Sequence, residues 1–310
     1  MKKISLIAAS AIIACTVTGC KTAQNDTLRA GTYNIRLITD LTPNSWEERR
    51  EDLVDLIRDM DLDVFGLQEV TPQQAAYLRN ELTEFHFVGD HRGKDRKSDE
   101  ASPVFYRKSM FTHEKAGTFW LSETPDTPGL KGWGAACPRV CSYLVLREKS
   151  TGRRFCFANT HTDHRSALAR ENGMLLVIER MKEFGKGSPI IFVGDHNCTE
   201  NEKPALAVSA ILNDALRVSE TKPRGSWRTF NGWRWREKEI TSAESLDLPV
   251  ADRNSPEYHR FCRGQRIDYV YVSKDIKVLD IETVNASRPG KKLYPSDHFP
   301  VITTLRLPTP

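Results

Sequence analysis

The sequence predicts a layered α/β protein, and two observations support this prediction. Short apolar runs with the character of buried strands alternate along the chain with segments that have helical periodicity. The composition of the 310 residues is that of an ordinary globular protein, with 39% hydrophobic and 28% charged residues. Because no internal domain boundary or sequence repeat is evident, we expect residues 28–310 to form one large domain around a sizeable core.

The start of the chain has the features of an export signal that is removed from the mature protein. A positive n-region is followed by an apolar h-region at residues 4–17. Thr18-Gly19-Cys20 then resembles a bacterial lipoprotein box, which implies cleavage before Cys20 and lipidation of its thiol. An ordinary secretory signal cleaved nearby is the alternative. We therefore predict a signal at residues 1–20, a tether at residues 21–27, and a protein anchored by lipid in the cell envelope.

Charge and cysteine content argue against two classes of protein. The formal net charge is +4, and the signal removes two of the lysines that contribute to it. So weak a positive balance does not indicate a general nucleic-acid binder. Of the 7 cysteines, those outside the signal and the lipidation position are odd in number and lack metal-type spacing, so they do not indicate a disulfide framework. A bridge between Cys137 and Cys141 is one interpretation, and buried free thiols are the one we favour.

Strands and helices alternate in the first part of the mature chain. Apolar and polar residues alternate along residues 28–36, which predicts a strand. Ser45-Trp46-Glu47-Glu48 fits a capping box, which predicts the start of a helix with one apolar face. Residues 64–67 predict a second buried strand. Thr71-Pro72 predicts another helix, running to about Leu82, because proline is tolerated in the first turn.

The rest of the chain predicts further strands, two helices and two irregular stretches. Helical periodicity covers residues 166–184 and a shorter segment around residues 205–212. Residues 91–100 are a charged loop, and residues 224–258, rich in Trp and Arg, are interpreted as an excursion over the surface. The predicted strands are residues 104–106, 117–121, 140–146, 155–161, 267–272, 278–284 and 301–307.

The best-defined strand leads directly into a polar segment. Residues 189–193 are almost wholly apolar and end at Gly194, where the backbone can turn freely. Asp195 and Asn197 follow two positions apart, so both side chains can point to one side of the strand end. A polar turn that merely closes the strand is the alternative interpretation. By the same alternation His196 should point to the opposite face and fill a core position, with a role in the site as the alternative.

Several strand ends carry polar groups instead of turn formers. Carboxylates that converge at strand ends suit a hard divalent cation, and histidines there can donate to a phosphate or move a proton. Each group alone could be an ordinary solvated or packed side chain, but five strand ends of this kind in one chain predict a common site. The five are Asn34, Gln68-Glu69, Asn159-Thr160-His161, Asp195-His196-Asn197, and Asp268 with Ser296-Asp297-His298.

Six short motifs together resemble the endonuclease/exonuclease/phosphatase superfamily, which includes pancreatic-type DNases. The motifs follow the family's order and span most of the mature chain: Tyr33-Asn34, Leu67-Gln68-Glu69, Asn159-Thr160-His161, Gly194-Asp195-His196-Asn197, Ile267-Asp268-Tyr269 and Ser296-Asp297-His298. The resemblance implies a four-layer α/β/β/α sandwich, two packed mixed sheets flanked by helices, with the site at one rim. The chain departs from the family pattern at His196, where phenylalanine is usual.

The resemblance also implies a cation site made of three side chains. Glu69 would be the main metal ligand, helped by Asn34 and Asp297. Oxygen donors of this kind suit Mg²⁺, with Mn²⁺ as a substitute. Whether the protein uses one ion or two stays open.

Five further residues acquire catalytic roles from the resemblance. Asp195 would orient or deprotonate the attacking water, and Asn197 would hold that water and a phosphoryl oxygen. His161 and His298 would donate to the phosphate as its negative charge builds. Asp268 would fix the tautomer and orientation of His298, as a buried carboxylate does for a catalytic imidazole. Whether Asp195 or His298 takes the proton stays open.

Candidates for substrate contacts come from two stretches of the chain. Arg139, His164 and Arg165 are candidates for phosphate contacts, because guanidinium forks suit phosphate oxygens. Trp227 and Phe230 lie in the stretch that interleaves aromatic residues with arginines, a combination that can grip single-stranded nucleic acid. It could equally stack on a nucleotide, a sugar or a choline head group. A lid pinned to the domain by its tryptophans is the structural alternative.

Three functions are compatible with these residues. The leading hypothesis is a monomeric, metal-dependent phosphodiesterase of nuclease type that acts on nucleic acids or nucleotides. The second is the same chemistry on phosphomonoesters, inositol phosphates or sphingomyelin-like head groups. The arginine-bearing signatures of inositol phosphatases and a membrane-inserting apolar hairpin are both absent from the sequence. The third, a non-catalytic binding module, predicts the loss of acidic site residues, and none is lost.

Overall fold

The computed structural model describes residues 26–236 and 266–309. The predictions for the signal, for Cys20, for residues 21–25 of the tether and for Cys262 lie outside the described residues, as does the end of the Trp-rich and Arg-rich stretch. Within the described ranges no helix is both long and apolar enough to span a bilayer. Among the described residues Cys137, Cys141, Cys156 and Cys198 form no disulfide with one another; the last three are buried, as the favoured interpretation expects, and Cys137 is half-buried.

Two β-sheets form the centre of the molecule. The strands are β1 (Leu28–Asn34), β2 (Val64–Gln68), β3 (Phe85–Val88), β4 (Val104–Arg107), β5 (Phe111–Trp120), β6 (Val140–Glu148), β7 (Arg154–His161), β8 (Ile190–Asp195), β9 (Asn213–Asp214), β10 (Arg224–Gly225), β11 (Asp268–Val272), β12 (Lys277–Thr283) and β13 (Val301–Arg306). The seven-stranded sheet has the order β10-β12-β13-β1-β2-β4-β3, and the six-stranded sheet has the order β5-β6-β7-β8-β11-β9. Both contain parallel and antiparallel pairs.

Helices cover the outer faces of both sheets and complete four layers. One apolar cluster joins the first two helices to the seven-stranded sheet, a second fills the space between the sheets, and a third joins the third and fourth helices to the six-stranded sheet. This arrangement confirms the predicted α/β/β/α sandwich. The helices are α1 (Trp46–Asp59), α2 (Pro72–Glu81), α3 (Ala167–Gly185), α4 (Lys203–Ser209) and α5 (Ala215–Val218).

Strand direction brings the polar strand ends to one rim. β1 and β2 are parallel, with Asn34 opposite Gln68, and β7 and β8 are parallel, with His161 opposite Asp195. β11 runs antiparallel to β8 and begins at this rim, with Asp268 opposite Asp195. The carboxyl ends of four strands and the start of a fifth therefore meet at one edge of the sandwich.

Local predictions hold for most elements and fail at identifiable places. The capping box predicted at Ser45 does not form, because the Ser45 side chain makes no capping hydrogen bond. A capping box forms instead at Thr71, whose partner is Gln74. The sequence did not predict β3 (residues 85–88), a four-residue edge strand with one partner and a partly exposed face. β5 begins at Phe111, six residues earlier than expected, with a register shift in its early part.

Candidate active site

A cavity of about 520 Å³ opens at the rim where the polar strand ends meet. Asn34 and Asp268 do not line it, but each makes a hydrogen bond to a residue that does. Asn159 ties the two sheets together, since its side-chain amide donates to the carbonyls of Leu67 and Pro103. The predicted site residues that line the cavity are Glu69, Arg139, His161, His164, Asp195, Asn197, Phe230, Asp297 and His298.

Two carboxylates at one end of the cavity converge on a single positive charge. Glu69 Oε1 accepts a hydrogen bond from Asn34 Nδ2 at 3.1 Å, and Oε2 accepts one from the Leu37 backbone N–H at 3.0 Å. The Arg36 guanidinium lies 3.8 Å from Glu69 Oε2 and 3.8 Å from Asp297 Oδ2. Burial raises the pKa of Asp297, with Glu69 adding to the effect. Two carboxylates arranged in this way fit a hard divalent cation. Asn34 presents its amide nitrogen to Glu69, and its Oδ1 accepts from the Arg36 backbone N–H at 3.0 Å, so ligation by Asn34 requires its amide to turn.

Asp195 lies beside this corner and is held by two donors. Its Oδ2 accepts from Asn34 Nδ2 at 3.0 Å, and its Oδ1 accepts from the Asn197 backbone N–H at 3.0 Å. Asn34 therefore links Glu69 to Asp195. Burial and the repulsion of Asp268 together raise the pKa of Asp195 to about 7. A carboxylate with this pKa is suited to accept a proton near neutral pH.

His298 and Asp268 form the hydrogen-bonded pair that the resemblance implied. His298 Nδ1 lies 2.8 Å from Asp268 Oδ2, so the other ring nitrogen is free to face Asp195 Oδ2 at 3.7 Å. Burial alone would lower the pKa of His298, but attraction to Asp268, Asp195 and Asp297 raises it to about 10. His298 is therefore a cation at neutral pH, with an N–H directed at the reaction centre.

His161 is a neutral ring whose tautomer follows from its neighbour Asn197. The Asn197 amide nitrogen donates to the Thr162 carbonyl at 3.0 Å, which fixes the orientation of the amide. The same nitrogen lies 2.9 Å from His161 Nε2 and can only donate, which favours an accepting Nε2 and a ring proton on Nδ1; Asp195 Oδ2, at 3.5 Å, is the other neighbour of Nε2. The nearest carboxylate to Nδ1 is Glu100, at 3.9 Å. Burial, together with Arg139, lowers the pKa of His161. Donation to phosphate through Nε2, as the resemblance implied, would require a change of tautomer.

Three loops of the site leave their strands through left-handed backbone conformations. The φ angles of Arg36, Glu69 and Asn197 are 59°, 60° and 47°. Non-glycine residues adopt this conformation at a cost, and such residues concentrate at functional sites. Gly194 (φ 149°) is required at its position, because a Cβ there would lie 2.0 Å from the Thr160 carbonyl oxygen.

The predicted substrate contacts divide into two groups. Arg139 is buried against the cavity, where one guanidinium nitrogen donates to His164 Nδ1 at 3.1 Å and the other two have no hydrogen-bond partner among the described residues. Phe230 lines the cavity and packs edge-on against His298. Arg165 is exposed and does not line the cavity. Trp227 is 3% exposed and packs beneath two arginine side chains, so the expectation of an accessible stacking surface is wrong for this residue.

Four charged residues that line the cavity were not singled out from the sequence. Arg92 and Glu100 come from the charged loop and form a bidentate pair at 3.0 and 2.9 Å. Charged loop residues are usually solvated, so nothing in their sequence distinguishes these two. Arg36 could have been found, since it follows the Tyr33-Asn34 motif at the strand end. Glu202 is at the N-cap position of the short helix α4, although its side chain makes no capping hydrogen bond.

His196 fills a core position behind the site, as strand alternation predicts. It is fully buried and stacks on Tyr269 and Tyr271, with ring centroids 5.6 and 5.5 Å away. Neither ring nitrogen makes a hydrogen bond of standard geometry. Burial lowers the pKa of His196 to about 3. The ring therefore stays neutral and takes no direct part in the chemistry of the cavity.

We expect His196→Phe to increase acid stability and leave activity nearly unchanged. The unfolded chain binds a proton at His196 near its ordinary pKa of 6.5, and the folded chain does so only near 3. Wild-type stability is therefore lost as the pH falls from 6.5 towards 3, by about 2 kcal/mol at pH 5. Paired urea unfolding of both proteins at pH 7.5 and pH 5 measures this difference. An equal stability difference at the two pH values would contradict the assignment.

Comparisons with known proteins agree with the geometry. Residues 31–298 match a protein family described as the Endonuclease/Exonuclease/phosphatase family. A solved mannosyl-6-phosphatase from Bacteroides thetaiotaomicron is 31% identical, with a TM-score of 0.75 over 90% of this chain and 99% of that one. Nocturnin of Drosophila melanogaster is 27% identical over 86% of this chain. Tyrosyl-DNA phosphodiesterase 2 of Bos taurus is 21% identical over 86% of it. The matches cover only 43% and 65% of these two relatives.

Proposed function

Because the chain belongs to the endonuclease/exonuclease/phosphatase family, we propose that it is a divalent-metal-dependent phosphatase that hydrolyses small, polar phosphomonoesters such as sugar phosphates. Family membership supports the coarse activity, which is hydrolysis of phosphate esters. The choice of a small monoester depends on the lining of the cavity. Similarity to a mannosyl-6-phosphatase supports the same choice.

The observation that carries the proposal is the lack of a continuous basic track among the described residues that line the cavity. Glu100 and Glu202 line it in addition to the acidic residues of the reaction centre, and its described arginines are Arg36, Arg92 and Arg139. Of these, Arg92 is already paired with Glu100, and Arg36 lies between Glu69 and Asp297. A nucleic acid needs several cations that neutralise successive phosphates, whereas a small monoester needs them only at the reaction centre. A volume of about 520 Å³ suits a small ligand, whose hydroxyl groups can pair with carboxylates and guanidinium groups.

A phosphodiesterase of nuclease type is the second candidate. It was the leading hypothesis from the sequence, and the relative named tyrosyl-DNA phosphodiesterase 2 supports it. Phe230 and Arg139 line the cavity and could contact a base and a phosphate. Burial of Trp227 removes one of the two aromatic candidates, Trp227 and Phe230, that were named for substrate contacts in that stretch.

Different residues of the cavity have different roles in the proposed hydrolysis. A divalent cation held by Glu69 and Asp297, and by Asn34 once its amide turns to present Oδ1, would neutralise charge on the phosphate. Asp195 takes the proton of the attacking water, because its raised pKa suits a base and His298 is already protonated. As the water oxygen bonds to phosphorus, the ester P–O bond breaks, and the leaving alcohol oxygen takes a proton from solvent. His298 donates to a phosphoryl oxygen, and Asp268 holds its ring in place.

An activity screen of purified protein without residues 1–20 tests the proposal. Mannose 6-phosphate, bis(4-nitrophenyl) phosphate, single-stranded DNA and sphingomyelin are each assayed with Mg²⁺, with Mn²⁺ and with chelator. We expect the monoester to be hydrolysed with a kcat/KM at least about tenfold above that of any diester, and chelator to abolish this activity. Asp195→Asn protein purified in parallel controls for contaminating phosphatases. Cleavage of DNA without release of phosphate from monoesters would establish the second candidate instead.

A further inference from the structure

Arg49 is a fully buried cation on α1 that does not line the cavity. All three of its guanidinium nitrogens donate hydrogen bonds, and every acceptor is a backbone carbonyl. The acceptors are the carbonyls of Asn44 (3.0 Å), Ile35 (2.5 Å), Pro295 (3.1 Å), Arg36 (2.7 Å) and Leu37 (3.1 Å). A buried charge compensated mainly by carbonyl dipoles is costly, so its presence needs an explanation.

Four of the five carbonyls that accept from Arg49 belong to two loops beside the cation ligands. Residues 35–37 directly follow Asn34, and the Leu37 backbone N–H donates to Glu69 Oε2 at 3.0 Å. Pro295 lies two residues before Asp297. One guanidinium therefore joins the loop that follows Asn34, and that donates to Glu69, to the backbone that carries Asp297. A hydrogen bond of 2.7 Å from Ser296 Oγ to the Asn34 carbonyl joins the same two loops at a second point.

Aromatic residues enclose Arg49 and extend this connection to a third segment. The guanidinium carbon lies 5.3 Å from the ring centroid of Trp46 and 5.7 Å from that of Trp233. The backbone N–H groups of Asn231 and Gly232, next to Trp233, donate to the Asp297 carbonyl at 2.8 and 3.0 Å. The described part of the Trp-rich and Arg-rich stretch is thus pinned against the loop of Asp297. Cation–π contacts of this kind stabilise a desolvated guanidinium.

Only arginine can make this set of contacts. Its planar group carries five N–H bonds in a fixed fork, whereas the lysine ammonium presents three donors from one atom. A lysine at this position could keep the charge and most of the aliphatic stem. It could not reach the Ile35–Leu37 loop and Pro295 together with comparable geometry.

We propose that Arg49 is a positioning residue that sets the separation of the Glu69 and Asp297 carboxylates, and thereby the affinity of the site for a divalent cation. This inference rests on the proposed function, because it assumes that these carboxylates share an ion. Arg49 does not touch the substrate. Its loss is therefore expected to weaken cation binding and to lower kcat at limiting metal, while KM for the ester stays nearly constant.

Calorimetric titration of Mn²⁺ into substrate-free protein tests the proposal. Loss of a residue that orients metal ligands typically weakens metal binding by about 10- to 100-fold, and we expect this range for Arg49→Ala and for Arg49→Lys. Millimolar guanidinium should restore part of the Mn²⁺ affinity of Arg49→Ala, and methylammonium should not. Arg49→Lys keeps the test informative if the alanine variant fails to fold.

Arg288, which lies between β12 and β13 and packs against the same helix, supplies a matched control. It is also buried, and it donates to Asp52 Oδ2 and to the carbonyls of Pro43 and Glu48, none of which belongs to residues 34–37 or 295–298. Arg288→Ala should reduce thermal stability and change Mn²⁺ affinity by less than about twofold.

Three results would overturn the inference: wild-type Mn²⁺ affinity in both Arg49 variants, an equal loss of affinity in Arg288→Ala, or no Mn²⁺ binding by the wild type. A wild type that binds Mn²⁺ but hydrolyses no phosphate ester would refute the proposed function alone. The effect of Arg49 on ion binding would still stand in that case.

Discussion

Replacing Asp195 by asparagine is expected to lower kcat by about 10³-fold, within the range that general bases contribute. Asparagine has nearly the same shape but cannot accept the proton of the attacking water. Asp195 is buried and lies close to Asp268, and these two causes raise its pKa to about 7. Removal of this carboxylate relieves the repulsion, so thermal stability should be unchanged or slightly higher. Phosphate release and a melting curve measured on the same preparation test both expectations.

The outcome for Asp195→Asn separates a chemical role from a structural one. A variant that is inactive and folded places Asp195 in the reaction. A variant that is inactive and unfolded would make Asp195 a structural residue, held for its hydrogen bonds to Asn34 and Asn197. A variant with near-normal kcat would show that a group other than Asp195 is the base.

Replacing Glu69 by glutamine should weaken divalent-cation binding by about 100-fold or more, since it removes the charge of the main ligand and not only its orientation. Hydrogen bonds from Asn34 and the Leu37 backbone to the Glu69 carboxylate hold it in place, and the left-handed backbone at Glu69 directs it towards Arg36. Mn²⁺ titration measures the affinity, and Mg²⁺ dependence of phosphate release gives the functional consequence.

Glu202→Gln is the matched control for Glu69→Gln. Glu202 lines the same cavity but interacts with Arg170 and with the backbone of Thr199, away from the proposed cation. The Mn²⁺ affinity of the Glu202→Gln variant should match that of the wild type. Equal losses in both variants would mean that Mn²⁺ responds to the overall charge of the cavity and not to a ligand at Glu69.

The part of the site that the sequence predicts consists of side chains at the ends of regular strands. β1, β2, β7 and β8 form two parallel pairs, and their apolar sequences identify them as buried strands. Because the carboxyl ends of neighbouring parallel strands meet at one edge, polar residues that follow such strands meet as well. Alternation also placed His196 correctly, since side chains in a strand point to opposite faces in turn.

The remaining part depends on contacts between segments far apart in sequence. Arg49 was not singled out, because its partner Pro295 is 246 residues away and a charged helix residue is normally solvated. The tautomer of His161 depends on a single hydrogen bond from Asn197. Trp227 was expected at the surface because it lies in an irregular stretch, but packing against Arg217 and Arg266 buries it. Such tertiary contacts leave no local pattern in the sequence.

Anomalous diffraction from crystals soaked in Mn²⁺ tests the central claim most directly, which is that strand-end side chains share one divalent cation. We predict a peak within about 2.0–2.6 Å of a Glu69 carboxylate oxygen, with Asp297 or Asn34 as a neighbour and the Arg36 guanidinium displaced. An ion bound only at the Cys137, Asp163 and His164 cluster, whose ligand atoms lie within 4.8 Å of one another, would contradict it. So would well-ordered crystals with no ion in the cavity.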